Sequence, residues 1–332
     1  SPEESAWNEV VAAAKKEGVV TAYSYSWRGD SGVAISRAFQ SKFGIKVEII
    51  TGRGSEFTER LKTEQRIGGM IGDLYEGAST HAVNLKKGGL TANIKGLPAL
   101  KELNGFAVSP FVSDPEGHIV AYNLYFYTPY INTDLVKSGE EPKIWKDLLD
   151  PKWKGKMLFA SPSVSMGAYM QFWPLKAEGV IDMEYLKALG KQDILWTTGM
   201  MENMAMLGRG EKPLSIFGSA TDASPSVLAG AHIRALPMEP AVTGASLVVS
   251  PTKSGPHPNA TKVLINWLLS EEGNFLFSKV QGMPSILKNA PSFVPKPVDI
   301  KPSRIIMETP EVLADEARSF NDKTLVTLWG LK

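Results

Sequence analysis

The stretch Ala6–Ser24, AWNEVVAAAKKEGVVTAYS, decides how the rest of the chain is read. Trp7, Val10, Val11 and Ala14 recur at the spacing of one helix face, Gly18 ends that helix, and Val19 to Tyr25 is a β-favouring run. The same unit follows twice more. Ser31 to Phe43 reads as a helix with Gly44 as its C-cap, and Lys46 to Thr51 as a strand. Glu56 to Gly68 then reads as a helix and Ile71 to Glu76 as a short strand. Helices and strands alternating at this spacing build βαβ units on a parallel sheet.

Beyond them the pattern changes. Gly117 to Tyr130 holds a long β-favouring stretch, interrupted by Pro129, that is suited to crossing from one lobe to another. A second α/β set follows: a strand at Met157 to Ala160, helices near Met166 to Glu178 and Met183 to Gly190, and a strand at Leu214 to Gly218. Ile233 to Val249 is strand-rich again, broken by Pro237 and Pro240, and returns the chain to the first lobe. Thr261 to Val280 has the pattern of one amphipathic helix, with Val263, Leu264, Trp267, Leu268, Phe275 and Leu276 on its apolar side and Thr261 as its N-cap. Pro291 to Pro302 reads as a surface wrap before a last helical segment. At 332 residues the chain exceeds what one compact core accommodates. The expected fold is therefore α/β and two-lobed, each lobe a mixed, mostly parallel sheet flanked by helices, with crossover strands as a hinge. Lobe 1 takes residues 1–122 and 246–290, lobe 2 takes 123–245, and 291–332 form a C-terminal wrap and helix.

Composition narrows the function. With 43% hydrophobic and 21% charged residues the chain forms an ordinary core, and its formal net charge of +1, without a basic run, lacks the footprint of nucleic-acid binding. Cysteine is absent, which removes thiolate metal sites, cysteine nucleophiles and disulfides together. No apolar run nears the roughly 18 residues a membrane span needs. The charged start SPEESAWNEV carries no signal-peptide stretch, so any such segment is expected to have been removed before Ser1. His81, His118, His232 and His257 show no metal-ligand spacing, and no phosphate-loop, zinc-protease, EF-hand or nucleophile-elbow motif is present. No cofactor, metal site or catalytic residue is expected.

Four strand-to-helix turns carry small polar residues where helix N-termini favour an anion or an oxygen-rich ligand. They are Ser24-Tyr25-Ser26-Trp27-Arg28, then Gly54-Ser55, then Ser161 to Gly167, and finally Gly218-Ser219-Ala220-Thr221-Asp222. All lie at carboxyl ends of strands, where open α/β sheets bind ligands. The candidate ligand residues are Ser24, Ser26, Trp27, Arg28, Ser55, Tyr75, Glu76, Ser79, Tyr125, Ser163, Ser165, Met166, Gly167, Ser219, Thr221 and Asp222. Each turn has a second reading, in which Ser, Thr and Asp only cap helices. Trp27 and Tyr75 suit cleft walls or packing equally, and Arg28 suits a bidentate anion clamp or a solvated turn. Glu76 and Asp222, with Trp27 and Tyr75, are also the makings of a cage for an organic cation.

YINTDLVKSGEEPKIWKDLLDPKWKGKM at Tyr130–Met157 and VVSPTKSGPHPNATKVLINWLLSEEGNFLFSKVQGMP at Val248–Pro284 resemble the extracellular solute-binding proteins of the ferric-ion, thiamine, polyamine and phosphonate type. The opening AWNEVVAAAKKEGVVTAYS and the GDLYEGAS of Gly72–Ser79 match as well, in the family's order. The resemblance implies a type II periplasmic-binding fold and a monomeric periplasmic receptor that closes its lobes over a small solute. It also implies handover to an ABC permease of the inner membrane, with no catalysis. Ferric members hold iron through two adjacent tyrosines after the strand corresponding to Leu214–Gly218; here the chain reads SATDASPS, Ser219–Ser226, and that pair is missing. A small organic anion, a carboxylate or organophosphate, is the expected ligand, with an organic cation or ferric ion as alternatives and a two-lobed enzyme or signalling receptor domain as distant ones.

Overall fold

The computed structural model describes residues 2–101, 114, 116–164, 169–288, 290–307 and 319–331. They form two compact units: one of Ser1–Leu124 with Ser246–Phe293, the other of Tyr125–Ala245 with Val294–Lys332.

The first unit begins as the opening stretch predicts. Helix α1 (Pro2–Glu17) ends at Gly18, whose φ of +72° is left-handed, and β1 (Val19–Ser24) starts at the next residue. Helix α2 (Gly29–Phe43) ends on a left-handed Gly44, and β2 (Lys46–Thr51), α3 (Gly54–Ile67), β3 (Leu74–Ala78) and α4 (Ser79–Lys87) follow. A single turn, α5 (Pro98–Lys101), precedes the crossover strand β4 (Val120–Asn132). β1 pairs in parallel with both β2 and β3. The returning strand β9 (Val242–Pro251) lies antiparallel to β3, Leu74 opposite Pro251 and Ala78 opposite Leu247.

The helix expected over Thr261–Val280 is two helices. α10 (Pro258–Leu268) ends before Ser270, whose hydroxyl accepts from the Gly273 N–H and so caps α11 (Glu271–Gln281). A serine followed by two glutamates is a strong helix start, and it outweighs continuity of the apolar stripe. Gly273 is required there, because a Cβ would stand 2.1 Å from the Trp267 carbonyl oxygen. Nor does Thr261 cap α10. The cap is His257 with Pro258 at the first helical position, and the Asn259 and Ala260 N–H groups donate to the Glu17 carboxylate at 3.2 and 2.7 Å.

The second unit repeats the plan. β5 (Met157–Ala160), α6 (Tyr169–Ala177), α7 (Met183–Leu189), β6 (Leu195–Thr197), α8 (Met200–Gly208), β7 (Leu214–Gly218), α9 (Ala220–Leu228) and β8 (Ile233–Ala235) succeed one another. β5 is parallel to β6 and β7, while β4 runs antiparallel to β7 and β8. Each unit thus sets one antiparallel crossover strand beside three parallel strands, and in the second unit β8 adds to the far edge of β4. Pro129 does not end β4; the ladder to β7 is irregular between Thr128 and Tyr130, where the missing N–H is accommodated. Alternation along β5 divides the core: Met157 and Phe159 join a cluster with Trp145, Phe172 and Phe217, while Leu158 joins Tyr130, Met204 and Leu207. Val294 and Val298 of the proline-rich tract are buried in that latter cluster, so the tract is partly core rather than a surface wrap. β10 (Ile305–Met307) pairs in parallel with β9 at Val242–Gly244.

Candidate functional site

At the carboxyl end of β1 the chain turns over a buried carboxylate. Glu76 of β3 is fully buried, and its Oε2 accepts from the Ser24 hydroxyl at 2.5 Å and the Ser26 N–H at 3.0 Å. Its Oε1 accepts from the Ser26 and Tyr122 hydroxyls, both at 2.7 Å. Among the described residues no lysine or arginine pairs with Glu76; four donors stand in for water. Burial first, and the Glu76 charge second, push the Tyr122 hydroxyl well above its ordinary pKa, which keeps it a proton donor. Tyr122 Oη in turn accepts from the Trp27 indole N–H at 3.0 Å.

The backbone of this turn is internally satisfied. The Tyr25 N–H donates to the Glu76 carbonyl, Ser26 N–H to the Glu76 carboxylate, Trp27 N–H to Ser24 Oγ and Arg28 N–H to the Ser26 carbonyl. From α11 the Gln281 amide donates to that same Ser26 carbonyl at 2.9 Å. The N–H groups of Tyr25 to Arg28 are therefore not open to an anion, which leaves only those of the first turn of α2, and the Ser24 and Ser26 hydroxyl protons are likewise directed inward at Glu76. Arg28 remains. It caps α2 without a side-chain cap bond, is exposed, and donates Nε to the Tyr25 carbonyl at 2.6 Å and Nη2 to the Gly52 carbonyl at 2.9 Å. Its guanidinium lies over the Tyr25 ring, 4.9 Å from the centroid. Every partner is neutral, so its positive charge is uncompensated by a carboxylate among the described residues.

The aromatic candidates do not present faces. Trp27 is 1% exposed and meets Tyr122 edge-on, with centroids 6.3 Å apart. Tyr75 is fully buried and its hydroxyl returns to the Ala78 carbonyl at 3.2 Å. Gly77 makes this fold-back possible: a Cβ there would stand 2.6 Å from the Tyr75 hydroxyl, and its φ is +154°. Ser55 is exposed in the first turn of α3, where the cap is Arg53, and Ser79 is buried as the first residue of α4.

In the second unit the turn after β7 caps itself. Ser219 Oγ accepts from the Asp222 N–H, and Asp222 Oδ2 accepts from the Ser219 N–H at 3.2 Å and hydroxyl at 2.6 Å. The capping reading holds for this pair, and the N–H groups of Ala220 and Thr221 are left without intrahelical acceptors. Thr221 Oγ1 is buried with no hydrogen-bond partner among the described residues. Desolvation pushes the Asp222 carboxyl up, opposed only in part by the Ser219 bonds. After β5, Ser161 and Ser163 hydroxyls lie 2.8 Å apart, and the Ser161 N–H donates to the Thr197 carbonyl. Ser165, Met166 and Gly167 lie outside the described residues. Tyr125 is half-buried and meets Tyr127 edge-on at 5.2 Å.

The structure thus brings Ser24, Ser26, Trp27 and Glu76 into one network and Ser219 and Asp222 into another. Tyr122 and Gln281, which complete the first, carry no local signal: one sits in a uniformly β-favouring run and the other in the last turn of a helix. Among the described residues no group of three or more His, Cys, Asp or Glu side chains is placed to hold a metal ion.

A family model described as bacterial extracellular solute-binding protein matches residues 34–303, most of the chain. The chain belongs to that family. No described helix of this solute-binding protein is long and apolar enough to cross a membrane. Iron uptake protein A1 of Synechocystis sp. is 24% identical to it over 204 residues, 58% of this chain and 49% of that protein. The chain spans about half the length of the curated relatives it matches. Among solved structures, iron-bound HitA of Pseudomonas aeruginosa superposes with a TM-score of 0.74 at 20% identity, over 92% of this chain and 98% of HitA. AfuA of Actinobacillus pleuropneumoniae, with fructose-6-phosphate bound, gives 0.69 at 19% identity over 95% and 99%. At these identities the likeness is one of fold, and the two-lobed α/β periplasmic-binding architecture is shared.

Proposed function

We propose that this solute-binding protein is the receptor of an ABC importer, taking a small organic anion, a carboxylate or an organophosphate, and delivering it to a membrane permease. The observation that carries the anion is Arg28: a guanidinium set in place by two carbonyl oxygens and an aromatic ring, with its charge left for a ligand. The two carboxylates that would attract a cation already accept hydrogen bonds, Glu76 from Ser24, Ser26 and Tyr122, Asp222 from Ser219. The sugar phosphate in AfuA supports an organophosphate in the same fold.

A ferric complex is the second reading, favoured by the likeness to iron-bound HitA and to Iron uptake protein A1. Against it, Ser219-Ala220-Thr221-Asp222 follows β7 where the family resemblance implies a tyrosine pair. Thermal-shift screening against carboxylates, phosphonates, sugar phosphates, polyamines, thiamine and ferric citrate separates the readings. The anion reading expects stabilisation by one of the first three classes without iron, since a ligand that binds only the folded state raises its stability. A shift with iron alone, or only with polyamines or thiamine, overturns it. Capture by lobe closure, the mode implied by the resemblance, expects a smaller radius of gyration with ligand in solution scattering.

A further inference from the structure

We propose that Glu76 is the positioning residue of the Ser24–Arg28 turn: it touches no solute, and it holds Arg28 in the pose that an anion meets. The proposal rests on the anion reading for its purpose, but its geometry stands independently.

A carboxylate removed from water is costly unless every lone pair finds a donor. Glu76 meets that condition with hydroxyls and one backbone N–H, and three of its four donors come from the turn itself: Ser24 Oγ, Ser26 N and Ser26 Oγ. The fourth, Tyr122, reaches across and also receives the Trp27 indole, so both walls of the turn are fastened to the same anion. Even the Glu76 backbone takes part, its carbonyl accepting from the Tyr25 N–H at 3.0 Å. Fixing Tyr25 fixes Arg28. The Tyr25 carbonyl accepts from Arg28 Nε, and the Tyr25 ring lies under the guanidinium. The order of action is then a buried anion, a rigid turn with no free backbone donor, and one cation held outside it. A ligand carboxylate or phosphate meets a guanidinium whose rotamers are already limited, which lowers the ordering cost of binding. The same arrangement keeps Glu76 and Arg28 from pairing: the carboxylate takes neutral donors, and the guanidinium bonds to carbonyls instead.

The test follows the Arg28 Nε–H resonance in full-length protein labelled with 15N-arginine, assigned by its disappearance in Arg28→Lys. In the unaltered protein this proton is expected to exchange more slowly than that of free arginine, because it donates to the Tyr25 carbonyl. In Glu76→Gln it is expected to exchange at least about tenfold faster and to move toward the free-arginine position. Ser26→Ala, which removes one hydroxyl donor and leaves the carboxylate, is expected to give a smaller acceleration of the same kind, and it covers the case in which Glu76→Gln does not fold. Glu17→Gln, which loosens the start of α10, serves as the control for general destabilisation and is expected to leave the Arg28 resonance unmoved. An Arg28 resonance unchanged in both Glu76→Gln and Ser26→Ala overturns the proposal, and so does an equal change in Glu17→Gln. Calorimetric titration with citrate and with fructose 6-phosphate provides the second arm. Where either binds, Glu76→Gln is expected to weaken it about as much as Arg28→Ala, and the double variant no further. Additive losses overturn the proposal. If neither probe binds the unaltered protein, the anion reading is what fails for those ligands, and the resonance arm alone decides whether Glu76 positions Arg28.

Discussion

The turns after β1 and after β7 solve one problem in two ways. Each places a carboxylate against serine hydroxyls and backbone N–H groups at the carboxyl end of a parallel strand. After β7 the carboxylate is Asp222, three residues beyond the serine it bonds, in the first turn of the same helix. After β1 it is Glu76, which comes from the neighbouring strand β3. The local solution is a cap, and it leaves two N–H groups of α9 unbonded within the helix. The long-range solution satisfies the backbone from Tyr25 to Arg28 and leaves a side chain, Arg28, beside the uncapped first turn of α2. Polarity of composition therefore does not measure what a turn offers a ligand; the origin of its acceptor does.

The largest expected contrast is in stability. Glu76→Ala strands three hydroxyls and an N–H in a buried space and should lower unfolding free energy by about 3 kcal/mol or more in urea titrations. Asp222→Ala removes only a cap interaction and should cost about 1 kcal/mol. Equal losses would break the distinction between the two turns. Arg28→Ala should do the reverse of Glu76→Ala, changing stability by less than about 0.5 kcal/mol while weakening an anionic ligand by about 2 kcal/mol in calorimetry. Ser219→Ala should cost about 1 kcal/mol, close to the Asp222→Ala value, and the pair should be far from additive because both delete one capping box. The smallest effect is in pH. Burial holds the folded-state Asp222 carboxyl above its ordinary value of 3.8, so its ionisation opposes folding. That contribution favours the fold below 3.8 and is lost as pH rises through the raised value. Asp222→Asn should thus gain stability relative to the unaltered protein as pH rises above about 4, measured as the difference between urea midpoints at each pH.

What could be read from sequence alone follows the same division between local and distant. The alternation of α1, β1, α2, β2, α3 and β3 was legible because Gly18, Gly44 and Gly68 end helices by backbone conformation, a local property. β5 and β7 were legible as short runs of apolar, β-favouring residues, which is again a local property. Ser219 and Asp222 stand at cap spacing, and capping was one of the two readings open for that turn. The break between α10 and α11 was obscured because the apolar stripe continues through Ser270, although the cap was present in the letters. The first turn was misread because nothing near Ser24 announces that its acceptor stands on another strand. Tyr122 and Gln281 are harder still, since each acts through an atom meeting a residue far away in the chain.

The two-segment build of each unit also sets an order of synthesis. β3, paired on one edge with β1, meets its second partner only once Leu247–Pro251 has been made, and Gly190 waits for Trp329, whose ring packs against it. A ribosome-bound chain of this design has no unit it can finish early. Long-range pairing of this kind folds slowly and leaves strands unpaired in the meantime. For a family described as extracellular that delay has a use: a chain still open while Leu247–Pro251 and Trp329 are unmade is in a state that passage across a membrane requires.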